Sequence, residues 1–208
     1  MKKLFFLFFG FGVLLLLFDT SISHTPIPAE LSFHLEPELG INVRSGRVIE
    51  ESDTHGGFHG DGLAFLSLDF SSASLSPQLE GNSAWSPLPL SAQLSTLAYG
   101  SGAGSIRNGP YLTDGNGAPV FPFIQNGYYY FYDRHDQAED PRDENAIMGR
   151  GSFNLTLALY DTDTDTLYYV KYDTLKRTPC GVFFMWFYAG HPNGKLPSPR
   201  RHPAPSSA

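Results

Sequence analysis

Residues 153–173 read FNLTLALYDTDTDTLYYVKYD, and they constrain the fold more than any other stretch. Phe153, Leu155, Leu157 and Leu159 alternate with Asn154, Thr156, Ala158 and Tyr160. After the Asp/Thr segment, Leu167, Tyr169 and Lys171 alternate with Tyr168, Val170 and Tyr172. A period of two belongs to strands, and Asp and Thr are good turn formers, so the pattern predicts a β-hairpin. A lone hairpin is at best marginally stable in water, so further strands must flank it. GYYYFYD supplies one, from Tyr128 to Tyr132 behind Asn126-Gly127. LAFLSLDFS supplies a second, with Leu63 and Phe65 on one side and Leu66, Leu68 and Phe70 on the other. Apolar residues on both faces mark a central strand or one lying under a helix. A third is expected around Arg47 to Ser52.

Between these strands, Ser71 to Pro87 reads as a Ser/Pro-rich loop. Leu90, Leu94, Leu97 and Ala98 then recur at helical spacing and stop at Gly100, which predicts one short helix. Ser101 to Gly117 is dense in glycine and turns. The fold class that follows is α+β and strand-dominated: an antiparallel sheet with one short helix packed on a face. With 41% hydrophobic and 14% aromatic residues the chain can build its own core. It has to, because Cys180 is the single cysteine and no internal disulfide is available.

The ends differ in composition from this body. Lys2 and Lys3 precede an uncharged apolar run from Leu4 to Phe18, and Ser21 and Ser23 provide the small residues of a cleavage site. Residues 1–23 therefore read as a secretory signal peptide, the alternative being an uncleaved membrane anchor. Either places the domain outside the cytoplasm and allows membrane contact only through the leader. Residues 24–40, with Pro26, Pro28 and Pro37, read as an extended lead-in, and 41–176 as a single globular domain. Residues 177–188 are an apolar terminal segment that ends the domain as a strand or docked piece, and 189–208 a Pro-rich tail expected to be disordered. The net charge of −7, with no basic patch in the body, argues against nucleic acid as a partner.

Chemistry has two candidate locations. HGGFHGDG, residues 55–62, sets His55, His59 and Asp61 among glycines. A helix is disfavoured there, at about 1 kcal/mol per glycine relative to alanine. In a loop, the two imidazoles and Asp61 could converge on zinc, or line a ligand site without metal. The plainer alternative is a strand-entering turn whose glycines shape the backbone. The second location, DRHDQAEDPRDEN, residues 133–145, gathers six carboxylates with Arg134, Arg142 and His135. Calcium or an acid–base pair could use such a loop, and so could ordinary surface ion pairs. His135, and Tyr130 from the adjoining strand, join His55, His59 and Asp61 as candidate ligand contacts. DTDTDT starts like a calcium loop but fails as an EF-hand. Thr166 stands where glycine is needed and Tyr172 where glutamate is needed. No nucleophile elbow, Walker loop, H-E-x-x-H or paired C-x-x-C occurs.

The phrases DTHGGFHGDG, WSPLPLS, GYYYFYDRH and FNLTLALYDTDTDTLYYVKYDT occur in that order across roughly residues 41–174. In this the chain resembles an uncharacterised family of small exported bacterial proteins. The resemblance implies a single exported domain and supplies no activity. The stretch after Tyr172 departs from that family's pattern, as an altered reading frame near the 3′ end would produce. The expected function is a non-enzymatic module binding a small ligand or a protein, with no cofactor required. The alternatives are a metal-assisted hydrolase built on His55, His59 and Asp61, and a structural cell-surface accessory protein.

Overall fold

The structure, a computed structural model, describes residues 25–56, 60–103 and 106–174. Its elements in chain order are β1 (Thr25–Pro26), α1 (Ala29–Leu39), β2 (Arg47–Asp53), β3 (Gly62–Asp69), α2 (Ser76–Leu79), β4 (Ser86–Pro87) and α3 (Ala92–Tyr99). They continue with β5 (Ser101–Ala103), β6 (Ile106–Asn108), β7 (Gly127–Asp133), a 3-10 helix (Glu144–Gly149), β8 (Asn154–Asp161) and β9 (Thr166–Asp173). Seven strands form one antiparallel sheet in the order β1-β2-β3-β9-β8-β7-β4, and β5-β6 is a separate small hairpin. The fold is α+β and strand-dominated, as the alternation requires.

The β8–β9 hairpin runs in unbroken register from Asn154–Asp173 to Asp161–Thr166. Its DTDT turn is held by its own side chains. Asp161 accepts from the Asp163 N–H and the Thr164 hydroxyl, each at 2.9 Å. Asp165 adopts φ +50° and accepts a hydrogen bond from the Tyr160 hydroxyl at 2.5 Å. The aspartates thus build a turn, the role Asx geometry gives them.

The pleat sorts side chains between two cores. On one face Leu66, Leu68, Phe70, Tyr130, Ala158, Leu167 and Tyr169 pack under Leu35 and Leu39 of α1, with Leu79 and Trp85. On the other, Leu63, Phe65, Phe131, Leu157, Leu159 and Val170 pack under Leu94 and Leu97 of α3, with Ile147. The split within β3 matches the one its sequence predicts.

Helix α3 begins at Ser91, whose side chain accepts from the Leu94 N–H, and ends at Gly100, as expected. Helix α1 is the correction. Residues 29–39 are not an extended lead-in: Leu35 and Leu39 are core, so this segment belongs to the domain and covers the face α3 leaves open. Pro28 sits at the N-cap, where a helix tolerates it, and Pro37 falls in the last turn, where it removes one backbone bond. Gly40 then ends the helix in the left-handed region at φ +66°. In the tyrosine strand, Tyr129 and Tyr130 are buried and Tyr128 and Tyr132 half-buried against the cores. Residues 1–24 and 175–208, with the leader, Cys180, the apolar segment and the Pro-rich tail, lie outside the described residues. Among the described residues no helix is long and apolar enough to cross a membrane.

Candidate functional site

Antiparallel pairing brings the two candidate loops together. Asp53 ends β2, Gly62 begins β3, Asp173 ends β9, Asn154 begins β8 and Asp133 ends β7, all at one end of the sheet. His55 and His135, eighty residues apart in sequence, both emerge there.

Two carboxylates clamp His55. Its Nδ1 lies 2.6 Å from Asp53 Oδ1 and its Nε2 3.2 Å from Asp173 Oδ2, so the ring ties the end of β2 to the end of β9 across β3. Asp53 Oδ1 also accepts the His55 backbone N–H at 2.8 Å. These bonds, the backbone one first, hold the Asp53 carboxyl below the usual carboxylate range. The other oxygen of Asp173 is 2.8 Å from Arg134 Nη2. Both ring nitrogens of His55 are thus directed at carboxylates, not at open space. His59 lies outside the described residues. Asp61 is exposed. Among the described residues no three His, Cys, Asp or Glu side chains are grouped to hold a metal ion.

The glycines of this loop shape backbone. Gly60 takes φ +68°. At Gly62 a Cβ would stand 2.5 Å from the His55 N and Cα, so only glycine lets the returning strand pass that close. Thr54 closes the hairpin mouth, its hydroxyl accepting the Leu63 N–H at 2.9 Å.

The 133–145 segment is no carboxylate nest. Asp133 is buried and pairs with the Arg150 guanidinium, with side chains 2% and 11% exposed respectively. It also accepts the His135 backbone N–H at 3.0 Å. Arg134 reaches β9. Arg142 lies over the Tyr130 ring at 4.5 Å and donates to the Ala84 and Phe131 carbonyls. Asp143 caps the 3-10 helix. His135 is 8% exposed and sits 2.9 Å from Ser152 Oγ. Its Nδ1 accepts the Gln137 N–H at 3.1 Å, so the ring proton belongs on Nε2 and donates to Ser152. Asp136 Oδ1 also lies 2.9 Å from that Nδ1, on a side chain that is 89% exposed. His135 is thus a satisfied buried histidine. Tyr130 is 3% exposed and packs against Trp85.

On the α3 side of this end lies a cleft of ≈750 Å³, lined among others by Asp61, Tyr111, Arg150, Phe153, Tyr172 and Asp173. Three rings form one wall. Phe153 meets Tyr111 at 5.2 Å and stacks on Tyr172 at 5.9 Å. Arg150 is fixed by Asp133 and by the Ala146 carbonyl at 3.1 Å from Nε, while its buried Nη1 has no partner among the described residues. Of the residues singled out in sequence, only Asp61 lines the cleft. Tyr111 and Arg150 belong to no motif, and Phe153, Tyr172 and Asp173 stand in the sequence only as residues of the hairpin pattern. Comparison with known proteins found no matching family model, no matching curated protein and no matching solved structure.

Proposed function

We propose that this domain is an exported, non-enzymatic module that binds a small ligand in the cleft at the Asp173 end of the sheet. One observation carries the reading: three packed aromatic rings stand beside a guanidinium fixed from behind by a buried carboxylate. Rings offer a flat apolar surface at little entropic cost, and a fixed charged donor orients what lies against them. The volume falls in the range of about 300–1,000 Å³ typical of small-molecule sites. A defined cleft also favours this over a purely structural accessory role. The hydrolase alternative loses support because the two carboxylates occupy His55. Export rests on the leader at residues 1–23, and membership of the exported bacterial family on the four phrases between 41 and 174.

Gly151 lines the cleft, and a Cβ built there meets nothing within 4 Å. Gly151→Phe should therefore plug the cleft while leaving thermal stability unchanged. Ligand-observed NMR with a library of monosaccharides and small aromatic acids supplies the assay. Hits on the wild type that vanish in Gly151→Phe support the proposal; no hits, or hits the plug leaves intact, overturn it.

A further inference from the structure

Among the described residues, three charged side chains line the cleft: Asp61, Arg150 and Asp173. Two of them are offset by a neighbour. The Arg150 guanidinium pairs with the buried Asp133 carboxylate. Asp173 lies 2.8 Å from Arg134 Nη2, and its other oxygen 3.2 Å from the His55 ring. Asp61 is exposed and makes no hydrogen bond or ion pair with any described residue. The cleft therefore holds one carboxylate that no cation offsets. The groups behind the lining keep the same sign. Asp53, Asp61, Asp133 and Asp173 stand against Arg134, Arg150 and the His55 ring, so the balance is negative whichever form His55 takes.

Tyr111, Phe153 and Tyr172 line the same space. Phe153 contacts both tyrosine rings, and its plane meets that of Tyr111 at 59°, so the aromatic wall is angled and not flat. All three residues are only half-buried, which leaves part of each open to the cleft. An aromatic ring carries negative potential over its face, so it attracts a cation as well as an apolar group. Rings and Asp61 thus favour the same sign of charge. A neutral ligand would gain from the rings alone, and an anion would be repelled by Asp61. Arg150 does not reverse this, because Asp133 offsets its charge at contact distance.

We infer, resting on the reading of the cleft as a small-molecule site, that its ligand is an organic cation: an alkylated ammonium group held against the rings, with Asp61 as its counter-ion. Such a group suits this lining better than a metal ion does. Among the described residues no three His, Cys, Asp or Glu side chains are grouped to coordinate a metal, and the Phe153 ring offers no ligand atom. An alkylated ammonium presents methyl groups to the rings and spreads its charge over them, so it gains from aromatic contact and from the carboxylate together.

The test is an NMR titration of the isotope-labelled full chain at constant ionic strength with three probes of similar shape. They are choline, its neutral analogue with carbon in place of nitrogen, and the anion tert-butylacetate. Choline should saturate, and bind at least about tenfold more tightly than the neutral analogue. Asp61→Asn should weaken choline at least about threefold and leave the neutral analogue within about twofold. Asp61 is exposed, so this variant should fold, and thermal unfolding checks that it does. Gly151→Phe should abolish binding of both. If the neutral analogue binds as tightly as choline, or Asp61→Asn leaves choline unchanged, the cation is overturned while the cleft stands as a small-molecule site. Tighter binding of tert-butylacetate overturns it too, and makes Arg150 the recognising group. No choline binding at all overturns the inference and leaves the cleft to be judged by the sugars and aromatic acids. Choline binding that survives Gly151→Phe overturns both readings.

Discussion

Replacing Arg150 by methionine removes the guanidinium and keeps most of the apolar stem. What remains is the Asp133 carboxylate, 2% exposed, holding only the His135 N–H of its original partners. Breaking one side of a buried pair costs about 3–5 kcal/mol, because the survivor is an uncompensated charge. The lower end applies here, since Arg150 already carries an unpartnered Nη1 whose burial is itself unfavourable. At roughly 2–4 °C per kcal/mol for a domain of this size, the melting temperature should fall by about 6–12 °C. Asp133→Asn in the same background removes the stranded charge while keeping an acceptor for the His135 N–H. The double variant should therefore be more stable than Arg150→Met alone, recovering at least half the loss. Urea denaturation followed by circular dichroism measures both. If Arg150→Met lies within about 0.5 kcal/mol of wild type, or Asp133→Asn makes it worse, the pair is not the buried anchor its geometry indicates.

Three further outcomes are expected. Tyr160→Phe strands the Leu75 N–H, which the phenol oxygen accepts at 3.0 Å, and takes the hydroxyl from Asp165; denaturation should show a loss of about 2–4 kcal/mol, and a loss below about 1 would contradict the contacts. Gly62→Ala forces a Cβ onto the His55 backbone and should cost about 1–3 kcal/mol, whereas the same change at Gly151 should be nearly silent in the same assay. Burial raises the phenol pKa of Tyr99, Tyr129, Tyr130, Tyr160, Tyr168 and Tyr169 above the ordinary value. Their contribution is complete below the unfolded value near pH 10 and is lost as pH rises past it, so stability should hold to about pH 9.5 and then fall, with phenolate absorbance appearing together with unfolding. A decline beginning well below that pH would point to other groups.

The strands were legible because a two-residue period has one simple solution. Leu63 and Phe65 against Leu66 and Leu68 even disclosed that β3 is covered on both sides. Helix α1 was obscured by Pro26, Pro28 and Pro37, although Leu31, Leu35 and Leu39 already stood at helical spacing. Proline weighs against a helix only where it removes an interior bond, and here two lie before the first turn and one in the last. The site was legible in its loops and not in its partners. His55 and Asp61 stood out, but the groups that make a cleft come from segments around Tyr111, Arg150, Phe153 and Asp173. Composition and periodicity carry no distances between such segments. The register of β3 with β9 and of β8 with β7 supplies them.

The buried polar groups at the two ends of this sheet are met to different degrees. At the Asp165 end, the buried Tyr160 hydroxyl meets Ser74 Oγ, the Leu75 N–H and Asp165, so every capacity of the group is met. At the Asp173 end, Arg134 Nε and Arg150 Nη1 are buried without partners among the described residues, and Glu36 Oε1 of α1 is a third such atom. Leaving a buried donor unmet costs about 1–3 kcal/mol, and folded domains tolerate few such groups. Both donors belong to guanidiniums whose other nitrogens are engaged, Arg134 by Asp173 and the Leu155 carbonyl, Arg150 by Asp133 and the Ala146 carbonyl. If both arginines could be replaced by methionine, each together with its paired aspartate by asparagine, with no loss of any ligand binding, the contrast between the ends would be one of stability alone.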